Sequence, residues 1–248
     1  MQFPTPLFES RLIKRYKRFL ADVEMLEGPD AGQTITIHCP NPGSMMGLAN
    51  PGATVFASRS PNLKRKLAYT YEIEAVDGPG NPCLVGINTM HPNRLAQEAI
   101  ESGMITQLAG YDRLKREQKY GENSRIDILL EPEEGTDRLT YVEVKNVHLM
   151  RQPGYLEFPD SVTSRGAKHL VELTTMVAQG HRAVMLFVAQ WPGAESMGIA
   201  DDIDIKYAQA LRQAMQAGVE VLVLDCAVTR QAITPCGMLD FVAPQLTA

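Results

Sequence analysis

The feature that most constrains the fold of this chain is a change in its hydrophobic pattern near residue 88. Upstream, short segments rich in β-branched and aromatic residues are separated by turns rich in Gly, Pro and Asn. Downstream, amphipathic segments of helical length alternate with apolar runs of strand length. Because the chain has 248 residues, it is long enough for two modest domains. We therefore expect two units, residues 1–86 and residues 87–248.

The first unit contains strand-like segments and no convincing helix. Five segments show alternation or β-branched enrichment: "RLIKRYKRFLADVEML", "QTITIHCP", "ATVFASR", "AYTYEIEAV" and "CLVGIN". About five short strands with basic loops predict a small, OB-like β-barrel. Barrels of this kind commonly bind nucleic acid, although a fold alone does not give a function.

The second unit opens with a predicted helix in "HPNRLAQEAIESGMI". Pro92 stands at the first helical position and Gly103 is a plausible stop. The strands "SRIDILL" and "TYVEVKNV" follow, joined by a polar loop that is typical of a hairpin. Two further helix–strand pairs come next: "AKHLVELTTMVAQG" with "HRAVMLFVAQW", and "IKYAQALRQAMQAG" with "VEVLVLDC". This order predicts an α/β domain with a mixed central sheet, in a chain of α+β class overall.

Charge is distributed unevenly along the chain. The net charge is −5, yet the first 66 residues carry nine Lys and Arg against five Asp and Glu. The cations cluster around Arg15 and Lys17, and again at Lys64, Arg65 and Lys66. Such clusters can follow a DNA backbone. A solvated strand and turn explain them equally well, so the pattern alone leaves both interpretations open.

Composition also indicates a compartment. The four cysteines are scattered, with no C-x-x-C pair and no disulfide-like density. The longest apolar runs are strand-sized, and charged residues come too early for a secretory signal. We expect a cytoplasmic protein with no membrane partner, and the sequence leaves its oligomeric state open.

The segment "YVEVKNV" places two opposite charges in a strand otherwise filled with Val. Because successive strand side chains point to opposite faces, Glu143 and Lys145 share one face of the strand. If "SRIDILL" pairs antiparallel with this strand, Asp127 lies opposite or diagonal to Glu143 on the same face. Two carboxylates this close repel each other unless a cation lies between them. The pattern therefore favours a site for Mg²⁺ or Mn²⁺.

The surrounding residues fit the hydrolysis of phosphodiesters. Lys145 can orient or deprotonate a water or neutralise developing charge. Glu98 is a candidate third carboxylate on the preceding helix. Arg165 and Lys168 fall at the start of the next helix, where cations and backbone N–H groups can receive a phosphate. The alternative is an exposed strand with a weak ion pair, which a lone E-x-K most often means.

Beyond this constellation, the chain resembles known families. The hairpin resembles the PD-(D/E)xK nuclease superfamily, whose core is a helix, a hairpin carrying Asp and Glu-x-Lys, and a second helix. Nearly the whole chain resembles the sugar fermentation stimulation protein A (SfsA) family of bacteria, through seven blocks in order: "LIKRYKRFLADV", "HCPNPGSM", "NLKRKLAYTYE", "SRIDILL", "YVEVKNV", "FPDSVTSRGAKHL" and "DIKYAQAL".

This resemblance implies an N-terminal OB-like domain, a C-terminal nuclease-like domain and binding of double-stranded DNA. Carried over, the nuclease-type site maps to Asp127, Glu143 and Lys145, with Glu98 a helix carboxylate. One departure is Pro42, where the family pattern has Thr; a phosphate contact from that side chain is in doubt, but the turn should survive.

Three functions therefore remain open. The leading hypothesis is a DNA-binding protein with a Mg²⁺-dependent nuclease-like site, linked through its family to the regulation of sugar utilisation. The second is a DNA-binding transcriptional regulator that keeps the nuclease fold without catalysis. The third is a small-molecule phosphoesterase using the same carboxylates.

Overall fold

A computed structural model of the protein describes residues 1–77, 82–121, 124–132 and 137–244. The first unit contains six strands: β1 (Leu7–Tyr16), β2 (Leu20–Met25), β3 (Thr34–His38), β4 (Thr54–Arg59), β5 (Tyr69–Val76) and β6 (Cys83–Gly86). They pair in the order β3-β2-β1-β4-β5-β6, and an additional β3–β5 pairing closes β1 to β5 into a barrel. The prediction of an OB-like barrel is confirmed.

One predicted strand is a hairpin in the structure. The segment "RLIKRYKRFLADVEML" turns back between β1 and β2, with Tyr16 paired to Leu20. Lys17 and Arg18 have φ angles of 48° and 62°. The sequence gives no signal of this turn, because Gly or Asn usually occupies such positions.

The second unit is built on a mixed sheet. Its elements are α1 (Pro92–Glu101), β7 (Tyr111–Tyr120), β8 (Ser124–Pro132), β9 (Thr140–Val147), β10 (Leu149–Gln152), β11 (Tyr155–Phe158), α2 (Ser164–Ala178), β12 (Arg182–Ala189), β13 (Ser196–Ile199), α3 (Ile205–Gln216), β14 (Glu220–Val228), β15 (Ile233–Met238) and β16 (Asp240–Phe241). The sheet order is β15-β14-β12-β9-β8-β7. Strands β14, β12 and β9 are parallel and the other pairings are antiparallel, so the predicted mixed sheet is confirmed.

Helices cover both faces of this sheet. The apolar stripe of α1, which includes Leu95 and Ala99, packs on one face of the sheet. It forms a hydrophobic core there with Val142 and Val144 of β9. Helices α2 and α3 pack on the other face through residues such as Leu173 and Leu211. The predicted helices and the buried stripe of α1 are confirmed.

The sequence did not predict strand β7 or the small sheet β10-β11-β13-β16. Strand β7 reads "YDRLKREQKY", and most of its side chains are partly or fully exposed. As an edge strand it has no buried face to produce an alternating pattern. The tip of the predicted hairpin loop after β8 includes residues 133–136, outside the described residues. No helix in the described part of the chain has the length and apolar character needed to cross a membrane.

Candidate active site

Glu143 lies near the centre of β9 and faces α2, as the two-residue period of the strand predicts. Its side chain is only 2% exposed. The Oε1 atom accepts a hydrogen bond from Lys145 Nζ at 2.5 Å and a second from Nδ1 of His169 on α2. The Oε2 atom is buried and has no hydrogen-bond partner among the described residues. One oxygen of a buried carboxylate is therefore left free.

The surroundings of Glu143 keep it ionised. Burial raises the pKa of Glu143, but the hydrogen bond from His169 and the positive charge of Lys145 outweigh that effect and hold the pKa below its ordinary value. Glu143 is therefore a carboxylate at neutral pH.

Asp127 sits where the β8–β9 ladder ends. The paired residues run Leu130–Thr140, Leu129–Tyr141 and Ile128–Val142, so continuing the register would bring Asp127 opposite Glu143. The Asp127 side chain replaces the next ladder bond, because its Oδ2 accepts a hydrogen bond from the Val144 N–H at 2.8 Å.

Asp127 also accepts a hydrogen bond from α1 and interacts electrostatically with Glu143. Its Oδ1 accepts a hydrogen bond from Asn93 Nδ2 at 2.8 Å. Burial raises the pKa of Asp127, and the negative charge of Glu143 raises it further. The two carboxylates thus interact electrostatically, as the sequence pattern predicted.

His169 joins the acidic hairpin to the start of α2. Because its Nδ1 donates to Glu143, its Nε2 can accept from Arg165 Nε at 3.3 Å. Lys145 Nζ lies 3.4 Å from Nδ1 of the same ring. The ring therefore links the Glu143 carboxylate to the Arg165 guanidinium, while Lys145 is held beside it by Glu143 itself.

These groups open into a cleft of about 1320 Å³ between the barrel and the mixed sheet. Its lining includes six Lys and Arg residues: Arg15, Arg18, Arg125, Lys145, Arg165 and Lys168. It also includes four acidic residues: Glu117, Asp127, Glu143 and Asp160. The excess of cations around a carboxylate floor suits an anionic ligand that approaches a bound cation.

The barrel contributes one wall of the cleft through the loop that contains Pro42. Asn41 Oδ1 accepts a hydrogen bond from the Gly43 N–H at 2.9 Å, so the turn around Pro42 is present as expected. Arg15 donates to the carbonyl oxygens of Asn41 and Gly43, each at 2.8 Å. The Arg15 guanidinium therefore holds this loop in place.

The same loop is fastened to the second unit at Asp160. Ser44 Oγ donates to the Asp160 carbonyl at 2.5 Å, and the Met45 N–H donates to Asp160 Oδ2 at 2.8 Å. His148 Nε2 lies 3.5 Å from the same Oδ2. Burial raises the pKa of Asp160, but the hydrogen bond and charge of His148 lower it to about 2.

The structure does not bring every predicted site residue to this cleft. Glu98 lies on the far part of α1, where it pairs with Arg94 at 3.0 Å and with the Met1 amino group at 2.6 Å. The expectation that Glu98 joins Asp127 and Glu143 is therefore corrected. The first turn of α1 points Asn93, rather than a carboxylate, toward Asp127.

The predicted DNA-binding residues fall into two groups. Arg15, Arg165 and Lys168 line the cleft, and Lys168 is only loosely paired with Glu172 at 3.7 Å. Lys17, Lys64, Arg65 and Lys66 lie outside it on the barrel, where Arg65 lines a separate depression beside His38.

The sequence patterns do not single out Asn93, His148, Asp160 or His169 as site residues. No local motif marks these four, because each acquires its role through contacts with residues distant in sequence. Only the position of His169, four residues after Arg165 on a predicted helix, gave a usable signal.

Both units of the chain match known protein families. Residues 13–87 match the SfsA N-terminal OB domain, and residues 90–232 match the sugar fermentation stimulation protein RE domain. The chain belongs to the sugar fermentation stimulation protein family. A homologue from Rhodospirillum centenum is 55% identical over 94% of this chain and 96% of its own. One from Maricaulis maris is 53% identical over 94% and 95%.

The family resemblance extends to a solved structure. Pyrococcus furiosus SfsA, in complex with Ca²⁺, has a TM-score of 0.84 and 26% identity over 98% of both chains. The fold of this chain, a barrel followed by a mixed-sheet domain, is thus similar to that structure over 98% of its length.

Proposed function

We propose that this SfsA-family chain is a divalent-metal-dependent deoxyribonuclease that binds double-stranded DNA and hydrolyses phosphodiester bonds. The observation that carries the proposal is the buried Oε2 of Glu143, which has no hydrogen-bond partner among the described residues, in a residue that lines a cationic cleft. A carboxylate oxygen left without a partner is costly to bury, unless a cation completes its environment.

The donor atoms fit Mg²⁺ or Mn²⁺. Asp127 and Glu143 supply carboxylate oxygens. Burial, and after it the negative charge of Glu143, raises the pKa of Asp127, and a cation between the two carboxylates would relieve their repulsion. Within the described ranges no three His, Cys, Asp or Glu residues are grouped to hold a metal. This sparse set suits Mg²⁺, which keeps several waters and takes one or two protein carboxylates plus substrate phosphates.

The P. furiosus relative in complex with Ca²⁺ supports the choice of a hard cation. Asp127 and Glu143 would hold the ion in this chain, and Glu98 would take no part. When bound, such an ion stabilises charge on phosphate oxygens and lowers the pKa of water.

Positioning of the water and neutralisation of phosphate charge would depend on side chains of this chain. Lys145, fixed by Glu143 at 2.5 Å, positions the attacking water beside the phosphate. His169 orients Glu143 and Arg165 together, so that the carboxylate and the guanidinium face the same substrate group. Arg165 and Lys168 then neutralise the charge of the scissile phosphate or of its neighbour.

DNA is the substrate that best suits the distribution of cations. The cleft and the outer barrel both carry Lys and Arg, although the net charge of the chain is −5. A polyanion long enough to span both surfaces would use both sets. Such a partner also agrees with the cytoplasmic location expected from the sequence. DNA binding is the property through which a role in sugar utilisation would arise.

One observation favours a second candidate, a DNA-binding regulator without catalysis. Both Asp127 oxygens already accept hydrogen bonds, one from Asn93 and one from Val144. A carboxylate whose oxygens are already hydrogen-bonded also has a structural role. Asp127 replaces the backbone hydrogen bond that is absent where the β8–β9 pairing ends.

The Lys145→Ala variant separates the two candidates. With Mg²⁺, we expect the variant to lose cleavage of plasmid DNA by about 10²-fold or more, the usual contribution of a positioned proton-transfer group. Duplex binding, measured by fluorescence anisotropy, should stay within about two-fold, because most cations remain. EDTA should abolish cleavage by the wild type. If neither protein cuts DNA and both bind it equally, the regulator is the correct function.

A further inference from the structure

One loop of the barrel presents an apolar side chain between cations. The loop joins β4 to β5, and Leu63 in it is 90% exposed, the highest value among the exposed large hydrophobic residues of the described chain. Lys64 and Lys66 are exposed as well and have no acidic partner among the described residues. An exposed leucine alone is ordinary on a protein surface. An exposed leucine beside two free cations suits a partner that offers both negative charge and an apolar interior.

This loop is held in one conformation by its own hydrogen bonds. The Arg65 N–H donates to the Asn62 carbonyl at 3.1 Å, so Leu63 and Lys64 are the central residues of a β-turn. Asn62 Oδ1 also accepts a hydrogen bond from the Lys64 N–H at 3.0 Å. The Arg65 side chain turns back to the barrel, where its Nη2 lies 3.3 Å from His38 Nδ1. Because the turn is already ordered, Leu63 can contact a partner with little loss of backbone entropy.

A second basic turn lies beside the same end of β3. The Cys39 N–H, directly after β3, donates to the Phe19 carbonyl in the β1–β2 turn at 2.9 Å. Lys17 and Arg18 of that turn are exposed, and Arg18 also lines the cleft. Both turns therefore flank the end of β3, and cations lie at the cleft as well as at the loop that carries Leu63.

Duplex DNA offers the combination of properties that this loop requires. Phosphates cover its outside, and the faces of its stacked bases are apolar. Proteins that insert an apolar side chain such as Leu or Met between two base pairs partly unstack them and kink the duplex. The inserted side chain leaves water, which offsets part of the cost of unstacking. Lysines beside such a side chain can bind the neighbouring phosphates.

We propose that Leu63 inserts between two base pairs of duplex DNA from the minor groove, while Lys64 and Lys66 bind phosphates beside the insertion. This inference rests on the proposed function and specifies its partner as a duplex that is locally unstacked and kinked. Leu63 contacts the DNA but takes no part in the hydrolysis, which belongs to the site at Asp127 and Glu143.

Relaxation of a closed circular plasmid tests the insertion, because unstacking a base step untwists the duplex and lowers the linking number of the relaxed product. A type IB topoisomerase needs no metal, so EDTA can be present to stop cleavage. At saturating protein, we expect the wild type to lower the linking number. Leu63→Met should do the same, because Met is also a large apolar side chain. Leu63→Ser should leave the linking number at the value reached by DNA alone.

The dependence of affinity on salt separates insertion from phosphate binding. Leu63→Ser should weaken binding to a linear duplex about five-fold and leave the slope of log affinity against log salt unchanged, since no phosphate contact is lost. Lys64→Gln, at the adjacent position, should lower that slope by about 0.9. Val242→Ser is the matched control, because it replaces a 48% exposed apolar residue of the other unit. It should change neither the affinity nor the linking number.

The linking number decides the inference. A wild type that binds the duplex without lowering the linking number, or a Leu63→Ser variant that lowers it as the wild type does, would overturn the insertion and leave DNA binding intact. Equal weakening of binding by Leu63→Ser and Val242→Ser would also count against a role for this loop. Failure of the wild type to bind duplex at all would instead refute the proposed function, and this inference with it.

Discussion

Glu143 shows how a buried charge is kept in this domain. Its Oε1 has two hydrogen-bond donors, Lys145 and His169, and its Oε2 has none among the described residues. Because an unpaired charge is costly to bury, partners on one side alone leave the group unsatisfied. A cation shared with Asp127 would satisfy it, which is why the residue-level geometry favours a metal site over a purely structural ion pair.

Asp160 gives the clearest dependence of stability on pH. Burial raises its pKa, but the stronger effects of His148 hold it at about 2 in the folded chain, against an ordinary value of 3.8. A carboxyl with a depressed folded pKa adds stability above its unfolded pKa and loses it as pH falls through the folded pKa. The added stability should therefore disappear between about pH 4 and pH 2, with a size of at most about 2 kcal/mol.

The measurement is urea unfolding of the wild type and Asp160→Asn across that pH range. The variant should be less stable at pH 5, and the difference should shrink toward pH 2. Asp202→Asn is the matched control, because that carboxyl is also paired with a basic side chain, Arg151, but is 58% exposed, so solvent screening should make its effect smaller. A difference for Asp160→Asn that stays constant from pH 5 to pH 2 would contradict this account.

At the scale of single residues, the sequence predicted correctly which face of a strand a side chain occupies, because that depends only on the two-residue period of the strand. The two-residue period of β9 placed Glu143 and Lys145 on one face, and that placement is confirmed. Prediction from the sequence failed where the outcome depended on how a helix docks. Glu98 and Asn93 lie on the same helix, but only the N-terminal turn approaches Asp127. The docking depends on packing of α1 across four strands, β8, β9, β12 and β15, which no local pattern encodes.

At the scale of elements, the loop around Gly43 joins the barrel to the cleft. Gly43 lies directly against the Asp160 carboxylate, and a Cβ added there would stand 2.5 Å from Asp160 Oδ2. That carboxylate cannot easily move, because it accepts a hydrogen bond from Met45. The glycine is therefore required for the close approach of the two units.

Gly43→Ala should destabilise the chain by about 1–3 kcal/mol, the usual result of forcing an extra carbon into a packed contact. Gly237→Ala is a matched control, since no described atom lies within 4 Å of its added Cβ, and its effect should stay within about 0.5 kcal/mol. Urea unfolding at neutral pH measures both. Equal midpoints for the two variants would show that the loop adjusts freely.

Elements with a long buried face were predictable, whereas the edge strand β7, the β1–β2 turn and short buried strands such as β11 and β13 were not. Strands β9 and β12 and all three helices have apolar sides that produce their periods. Strand β7 is an edge strand of mostly charged residues, and the β1–β2 turn uses Lys17 and Arg18 at positive φ without Gly or Asn. Neither leaves a hydrophobic or turn signal for sequence reasoning to use.

At the scale of the whole molecule, the two units together line one cleft, to which each contributes Lys or Arg side chains. The barrel supplies Arg18 and the loop near Gly43, and the mixed-sheet domain supplies Asp127, Glu143 and Lys145. The order of strands and helices predicted both units, but not their orientation. That orientation depends on contacts such as Met45 to Asp160, between residues more than a hundred positions apart.

The most direct test of the central claim is nicking of supercoiled plasmid in Mg²⁺ by the wild type, Glu143→Gln and Glu98→Gln. Both variants neutralise one carboxylate in the same domain, but only Glu143 faces the cleft. We predict that the wild type and Glu98→Gln nick at similar rates, that Glu143→Gln is slower by about 10²-fold or more, and that EDTA stops all three. Nicking by Glu143→Gln at the wild-type rate, or an equal loss in Glu98→Gln, would contradict the assignment of the active site.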